Sequence, residues 1–556
     1  MRTSVVRLVV TSLALAFALT IAVFELLQQS PGGLIGTYAN PDAPAADSTT
    51  AMRAIGPFKP VFVQYVGWLG LLVRGDLGWS ASNHEPVAQV IGERLPATVE
   101  LVACAFVAAI LLGAFGGTLR LRANGTMLGR FFAVLELIGR SVPIPLIVPL
   151  AVMLGLFVPG FPTAGIASGD TFDLVDRLRH LVLPVLTLAL PLGAWASCVF
   201  YETRRASDGA ERARGEARWV NFVRASAACV SMLAPVIISV SLFVEGVFAL
   251  PGAVRLFSLA VSQGDAALIT GLVIVYGLGV IALKLIAQLL LVVVGDRGAR
   301  PEAALGSRAT RAAFFSKPVA VAGLVLVCVL GILGFAGVFV APEGPNYIDQ
   351  VHWRGYPLAP GVGGHLLGTD ENGIDLLGRL LFALRTSLSI AVGASLVATA
   401  FGLAIAAIGG RLRGAAAASV SEAGTGALSG IRAFGTLPFI LLVVALALGR
   451  PMNPLLEILV IGVASWPAIV AAVRAPLSLR LIGGAAVSVA GAALLLESTL
   501  SNHGFSVPRP TPTLGNLLAN SQSNITVAPW IVAVPLLVVM VALFALYAIS
   551  DGLREA

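Results

Sequence analysis

Val199–Arg224, VFYETRRASDGAERARGEARWVNFVR, is a long, strongly charged segment set between two apolar runs, and it carries Arg204, Arg205, Arg212, Arg214, Arg218 and Arg224. Basic side chains resist translocation, so an excess of Arg beside apolar spans marks a cytoplasmic connection. Within it, Arg212-Ala213-Arg214-Gly215 falls in a run that predicts short amphipathic helices flanking a glycine break. Such a stretch is a docking place for a cytosolic partner. Its competing reading is a solvated Arg-rich loop, and the charges alone do not separate the two.

Composition fixes the class around that loop. Of 556 residues, 57% are hydrophobic and only 12% are charged, and the mean hydropathy is +0.91. A soluble domain carries roughly 25% charged residues, so most of this surface faces lipid. The net charge of +7 raises nucleic acid as a partner, but the Arg residues gather at span ends, which reads as topology and not as phosphate binding. Cys104, Cys198, Cys229 and Cys328 lie in or beside apolar runs without CxxC spacing. Neither a disulfide framework nor a zinc site follows, and the scattered histidines suggest no metal or cofactor.

Apolar runs are expected to span at about 5–27, 97–119, 143–158, 180–200, 229–250 and 268–294. The long connection 28–96 alternates to the outside, with one amphipathic piece from Pro60 to Arg74. A basic stretch at 295–318 then carries Arg297, Arg300, Arg308, Arg311 and Lys317, and the pattern restarts. Further spans are expected near 319–341, 386–408, 434–449, 456–473, 481–497 and 529–549, with an external segment at 342–385. The expectation is an all-α polytopic membrane protein of two parallel six-helix repeats, about twelve spans with both termini cytoplasmic, divided as 1–294, a 295–318 linker and 319–556.

The halves echo each other. Arg94-Leu95-Pro96-Ala97-Thr98 opens a span ending in Gly116-Gly117, and Arg385-Thr386-Ser387-Leu388 opens one ending in Gly409-Gly410. Glu245 precedes Gly252 by the same interval that separates Glu497 from Gly504. Duplication is the economical account, and it puts a pathway between the halves.

Blocks within each half carry a resemblance. Val63-Gln64-Tyr65 with Trp68-Leu69, Arg74-Gly75-Asp76-Leu77-Gly78, Glu93-Arg94-Leu95-Pro96-Ala97-Thr98, Leu178-Arg179-His180-Leu181, Pro251-Gly252 and Asp296-Arg297 resemble the B-type permease of dipeptide, oligopeptide and nickel ABC importers. His365-Leu366-Leu367-Gly368-Thr369-Asp370, Gly373 with Asp375, Gly378-Arg379-Leu380-Leu381, Thr511-Pro512-Thr513-Leu514-Gly515-Asn516 and Asp551-Gly552-Leu553-Arg554 resemble its C-type partner. The resemblance implies two fused permease subunits of type I ABC importer fold in a bacterial cytoplasmic (inner) membrane. They would carry peptides or related small solutes, nickel chelates included. It also implies cytoplasmic ABC ATPase subunits, which do the ATP hydrolysis, and an extracytoplasmic substrate-binding protein as partners, with no nucleic acid.

The family's cytoplasmic coupling motif has an Ala–Gly core. Arg212, Ala213, Arg214 and Gly215, with Arg218 and Arg224, match it in part, while only Arg474–Arg480 separates the corresponding spans of the second half. At 1.5 Å per residue, seven residues make about 10 Å of helix, too little to leave the membrane, couple and return. Glu136, Glu245, Lys284, Glu457 and Glu497 fall in or near spans, where charges are costly and must face protein, water or an interface. Glu245 and Glu497 suit a backbone-capping role better than substrate binding. Lys284 suits snorkelling better than a pore role. No Walker A loop, triad or paired carboxylates are present, so no hydrolytic activity is expected of this chain. Two other readings stay open: a degenerate permease that assembles without cycling, and a secondary transporter with six plus six spans.

Overall fold

The computed structural model describes residues 2–29, 33–38, 59–157, 160–167, 173–214, 218–294, 312–339, 344–352, 355–415, 453–473, 478–502, 506–521 and 527–555, with 49, 52–53, 55–56, 341 and 524. The expected span at 434–449, most of the 295–318 linker, Gly215 and residues 474–477 lie outside the described residues. Those described form an all-α polytopic membrane protein. Among the described residues, eight helices are long and apolar enough to cross a bilayer.

The first half of the chain holds α1 (Arg2–Gln29), α2 (Gly33–Tyr38), α3 (Val61–Val73), α4 (Val87–Arg122), α5 (Met127–Ser141), α6 (Ile144–Phe157), α7 (Leu174–Arg214), α8 (Arg218–Val247), α9 (Ala253–Gln263) and α10 (Ala266–Val293). Local chemistry sets several of the starts. Thr126 Oγ1 accepts from Gly129 N at 3.2 Å to cap α5. Asp265 Oδ1 accepts from Leu268 N at 3.0 Å to cap α10. The other oxygen of Asp265 accepts from Ser80 Oγ at 2.7 Å and from Ser82 N at 3.0 Å. One carboxylate thus starts α10 and fastens the small antiparallel ribbon of β1 (Trp79–Ser80) and β2 (Glu85–Pro86) to it.

The second half holds α11 (Ala312–Phe315), α12 (Pro318–Ala336), α13 (Leu376–Ala415), α14 (Pro454–Ala472), α15 (Leu479–Asn502), α16 (Leu514–Ser521) and α17 (Pro529–Glu555). Asn453 caps α14, with Leu456 N donating to Oδ1 at 2.8 Å. Pairing repeats between the halves. Helix α1 packs on α10 as α12 packs on α17, and α4 packs on α7 as α13 packs on α14.

Lipid tails are as apolar as Leu, so helix pairs in a bilayer rely on close van der Waals fit at small residues. A Cβ on Gly117 of α4 would stand 2.7 Å from Ser197 O of α7, and one on Gly402 of α13 would stand 2.7 Å from Ile469 Cβ of α14. Both sites admit only glycine without a shift.

Two large apolar cores result. One spans residues between Leu19 and Val280, joined by Leu500, and the other unites α12, α13, α15, α16 and α17, joined by Leu137 of α5. The bundle has two distinct ends. Residues 344–352 and 355–375 form a lobe beside the start of α17, where a Cβ on Gly368 would stand 3.0 Å from Trp530 Nε1. Asp551 lies near the other end of α17.

Candidate functional site: two capped junctions, a seam and a locked lobe

Glu245 sits near the end of α8, fully buried, as Glu497 does in α15. Thr98 of α4 donates to Glu245 Oε1 at 2.6 Å and accepts from Ala253 N at 2.9 Å, while Arg255 N donates to Glu245 Oε2 at 2.9 Å. The carboxylate and hydroxyl together satisfy free N–H groups at the start of α9. In the second half Ser387 of α13 donates to Glu497 Oε2 at 3.1 Å and accepts from Leu514 N at 2.9 Å, at the start of α16. Ser501 Oγ donates to Glu497 Oε1 at 3.0 Å. Thr98 and Ser387 play one part, and Ala253 and Leu514 another.

A glycine lies against each carboxylate. A Cβ on Gly252 would fall 2.1 Å from Glu245 Oε2, and one on Gly515 would fall 2.7 Å from Glu497 Oε1. Gly504 is outside the described residues, and Gly515 stands in the first turn of α16. A third carboxylate, Glu457 of α14, accepts from Ser506 Oγ at 3.0 and 2.9 Å. Lys284 is buried in α10.

At the end away from the lobe, α5 and α7 meet α17. Arg140 forms an ion pair with Asp551 and stands 3.7 Å from Glu136 Oε1. Glu136 accepts from Arg120 Nη1 at 2.9 Å and from Ser197 Oγ at 3.0 Å. Aromatic rings close the cluster. The Arg120 guanidinium lies 4.0 Å from the Tyr201 centroid and that of Arg140 5.3 Å from Trp195. Trp195 meets Tyr547 of α17 edge to face at 5.3 Å. Sequence reading noted Glu136 as a costly charge but did not join it to Arg140 and Asp551. The available signal was the i,i+4 spacing of Glu136 and Arg140 on one helix face.

The lobe is held by charge. His365 Nε2 lies 3.0 Å from Asp349 Oδ2 and Nδ1 lies 2.9 Å from Asp375 Oδ1. Asp375 Oδ2 in turn accepts from Gly378 N at 2.7 Å in the first turn of α13. Burial alone would lower the His365 pKa. The two carboxylates more than offset it, and the net shift is upward. Asp349 is held below the ordinary carboxylate range, first by the bond to His365 and then by His352 and the backbone N–H groups of His352 and Val351. Asp370 pairs with Arg379 and accepts from Asn372 N and Ile374 N, both at 2.9 Å. Burial dominates there and raises its pKa. Around this lock Tyr347, Val351, Tyr356 and Leu366 expose apolar surface.

The Arg-rich stretch is helical almost throughout, where short helices were expected. Helix α7 runs on to Arg214, and α8 begins at Arg218. The break at 215–217 lies outside the described residues. Arg204 Nη1 donates to Thr118 Oγ1 at 2.7 Å and Arg224 Nη1 to Asn221 Oδ1 at 3.1 Å. Just after the break Trp219 is 62% exposed.

Fold and site define a multi-pass membrane protein whose polar groups are spent on helix junctions and on a seam between helices. Comparison with known proteins then gives the family. The chain is 32% identical over 307 residues to a peptide permease protein of Brucella suis, covering 51% of this chain and 95% of that relative. It is 28% identical over 315 residues to an oligopeptide transport system permease protein of Bacillus subtilis, covering 53% of this chain and 98% of the relative. A peptide ABC transporter permease protein of Sinorhizobium fredii matches at 27% over 188 residues, 34% of this chain and 60% of that one. No protein-family model matches the chain. The protein belongs to the peptide permease family of ABC transporter membrane components, whose members are transport proteins.

Proposed function

We propose that this chain is two permease subunits in one, the complete membrane pathway of an ATP-driven importer of peptides or related small solutes. The observation that carries the proposal is the repeated junction, Thr98–Glu245–Ala253 and Ser387–Glu497–Leu514, built from residues in each half. The nearly complete match to relatives about half as long supports it. On this reading the domains are 1–294, 295–318 and 319–556, with twelve spans. The lobe end faces outward and both termini lie in the cytoplasm of a bacterial inner membrane. ATP hydrolysis falls to separate subunits that dock beside Gly215, and a substrate-binding protein delivers cargo at the lobe end. Nickel chelates remain within the substrate class because the same motifs serve them.

A purified transporter in proteoliposomes, with its ATPases and binding protein, is expected to accumulate labelled dipeptide only when ATP is supplied on the cytoplasmic side. Accumulation driven by an ion gradient without ATP would instead support the secondary-transporter reading. A second reading, a permease that assembles without cycling, is favoured by one observation: α14 ends at Ala472 and α15 starts at Leu479. That gap is too short for a second coupling helix. Assembly with both partners but no ATP-dependent uptake would establish it.

A further inference from the structure

A cavity of about 430 Å³ opens between the lobe, the start of α13, the start of α14 and the segment before α16. Arg385 is the charged residue in its lining. Its guanidinium makes no ion pair or hydrogen bond among the described residues. Asn346 and Thr511 add polar atoms, while Phe382, Pro454 and Pro510 supply apolar walls. Proline has no N–H, so Pro454 and Pro510 bring no backbone donor to the wall. The cavity is also preformed. Asn516 Nδ2 donates to Thr511 O at 2.8 Å and Asn516 Oδ1 accepts from Thr513 N at 3.1 Å, fixing the proline-rich segment beside Glu497.

We infer that this cleft binds a peptide by its C-terminal carboxylate, with Arg385 as the anion-binding group. A guanidinium fork matches a carboxylate in geometry and charge. Amide groups at the polar side and an apolar side chain against Phe382 and the prolines account for the rest of the lining. A volume of this size suits a ligand of a few residues. The inference rests on the proposed peptide transport and names a contact within it.

The test uses the full chain in nanodiscs and a diazirine-bearing dipeptide at millimolar concentration, as free acid and as C-terminal amide. Cross-links are mapped by mass spectrometry. The acid is expected to label 345–346, 382–389 and 510–512, with labelling about tenfold weaker for the amide and for Arg385→Gln. Arg385→Lys keeps the charge and should recover part of it. A normal size-exclusion profile and unchanged labelling by the amide show that a variant is folded, so that its lost acid labelling reports the missing guanidinium. Equal labelling by acid and amide, or labelling confined to other segments, would overturn the inference. So would a photoactivatable phospholipid that labels the cleft where the acid peptide does not, because Arg385 would then be a headgroup anchor. ATP-driven uptake by the assembled transporter separates the two levels. Lost uptake with labelling retained faults the transport reading, and retained uptake without labelling faults the cleft.

Discussion

Glu245 and Glu497 are buried carboxyl groups whose oxygens accept hydrogen bonds from neighbouring helices. Glu245→Ala strands the Thr98 hydroxyl and the Arg255 N–H in a buried place, and two unsatisfied donors cost about 3 kcal/mol. Glu245→Gln keeps one accepting oxygen and should lose less. Thermal unfolding of both variants in nanodiscs is expected to rank wild type, Gln, Ala, and an unshifted Ala variant would remove the capping role. His365 sets a pH dependence. Its folded pKa is raised, so its stabilisation is full below the ordinary imidazole value of about 6.5 and fades as pH rises through the raised one. Asp349 is depressed, so its contribution is full above about pH 3.9 and fades only as pH falls through the lowered value. Hydrogen exchange of 347–375, corrected for intrinsic rates, should therefore show protection that declines as pH rises above about 6.5. Loss of protection toward alkaline pH should vanish in His365→Gln. Equal pH slopes in both proteins would mean that the imidazole does not hold the lobe.

Among elements, the seam joining α5 and α7 to α17 is the most exposed to test. Arg140 is buried while Asp551 is partly open to solvent, so the pair is worth less than a wholly buried one. A double-mutant cycle with Arg140→Ala and Asp551→Ala should show a coupling of about 1–3 kcal/mol. A coupling near zero would leave Trp195, Tyr547 and Leu137 as the contacts that matter. The apolar runs made these helices legible from sequence, because a bilayer demands about twenty apolar residues in each. Their ends were less legible. Helix α7 outlasts its apolar run by a charged turn after turn to Arg214, since helix continuity depends on backbone bonds and not on hydropathy. The pairing of Glu245 with Thr98 across 147 residues leaves no local signature. Arg140 and Asp551, 411 residues apart, were invisible as a pair for the same reason.

For the whole molecule, the two halves are expected to be unequal toward the ATPases. Deleting 206–217 should reduce ATPase recovery in a pull-down severalfold, whereas replacing 474–480 with a Gly/Ser connection of equal length should change it little. A helix that fills a groove offers far more contact than a short turn at the membrane surface. Equal recovery from both would make the Arg-rich stretch a solvated connection only. The larger claim is that one chain supplies both permease halves, and stoichiometry tests it most directly. Native mass spectrometry of the assembled transporter should show a single copy of this 57.2 kDa chain with its ATPase subunits and no separate permease. Two copies of the chain, or a further membrane subunit of about half its length beside it, would contradict the account.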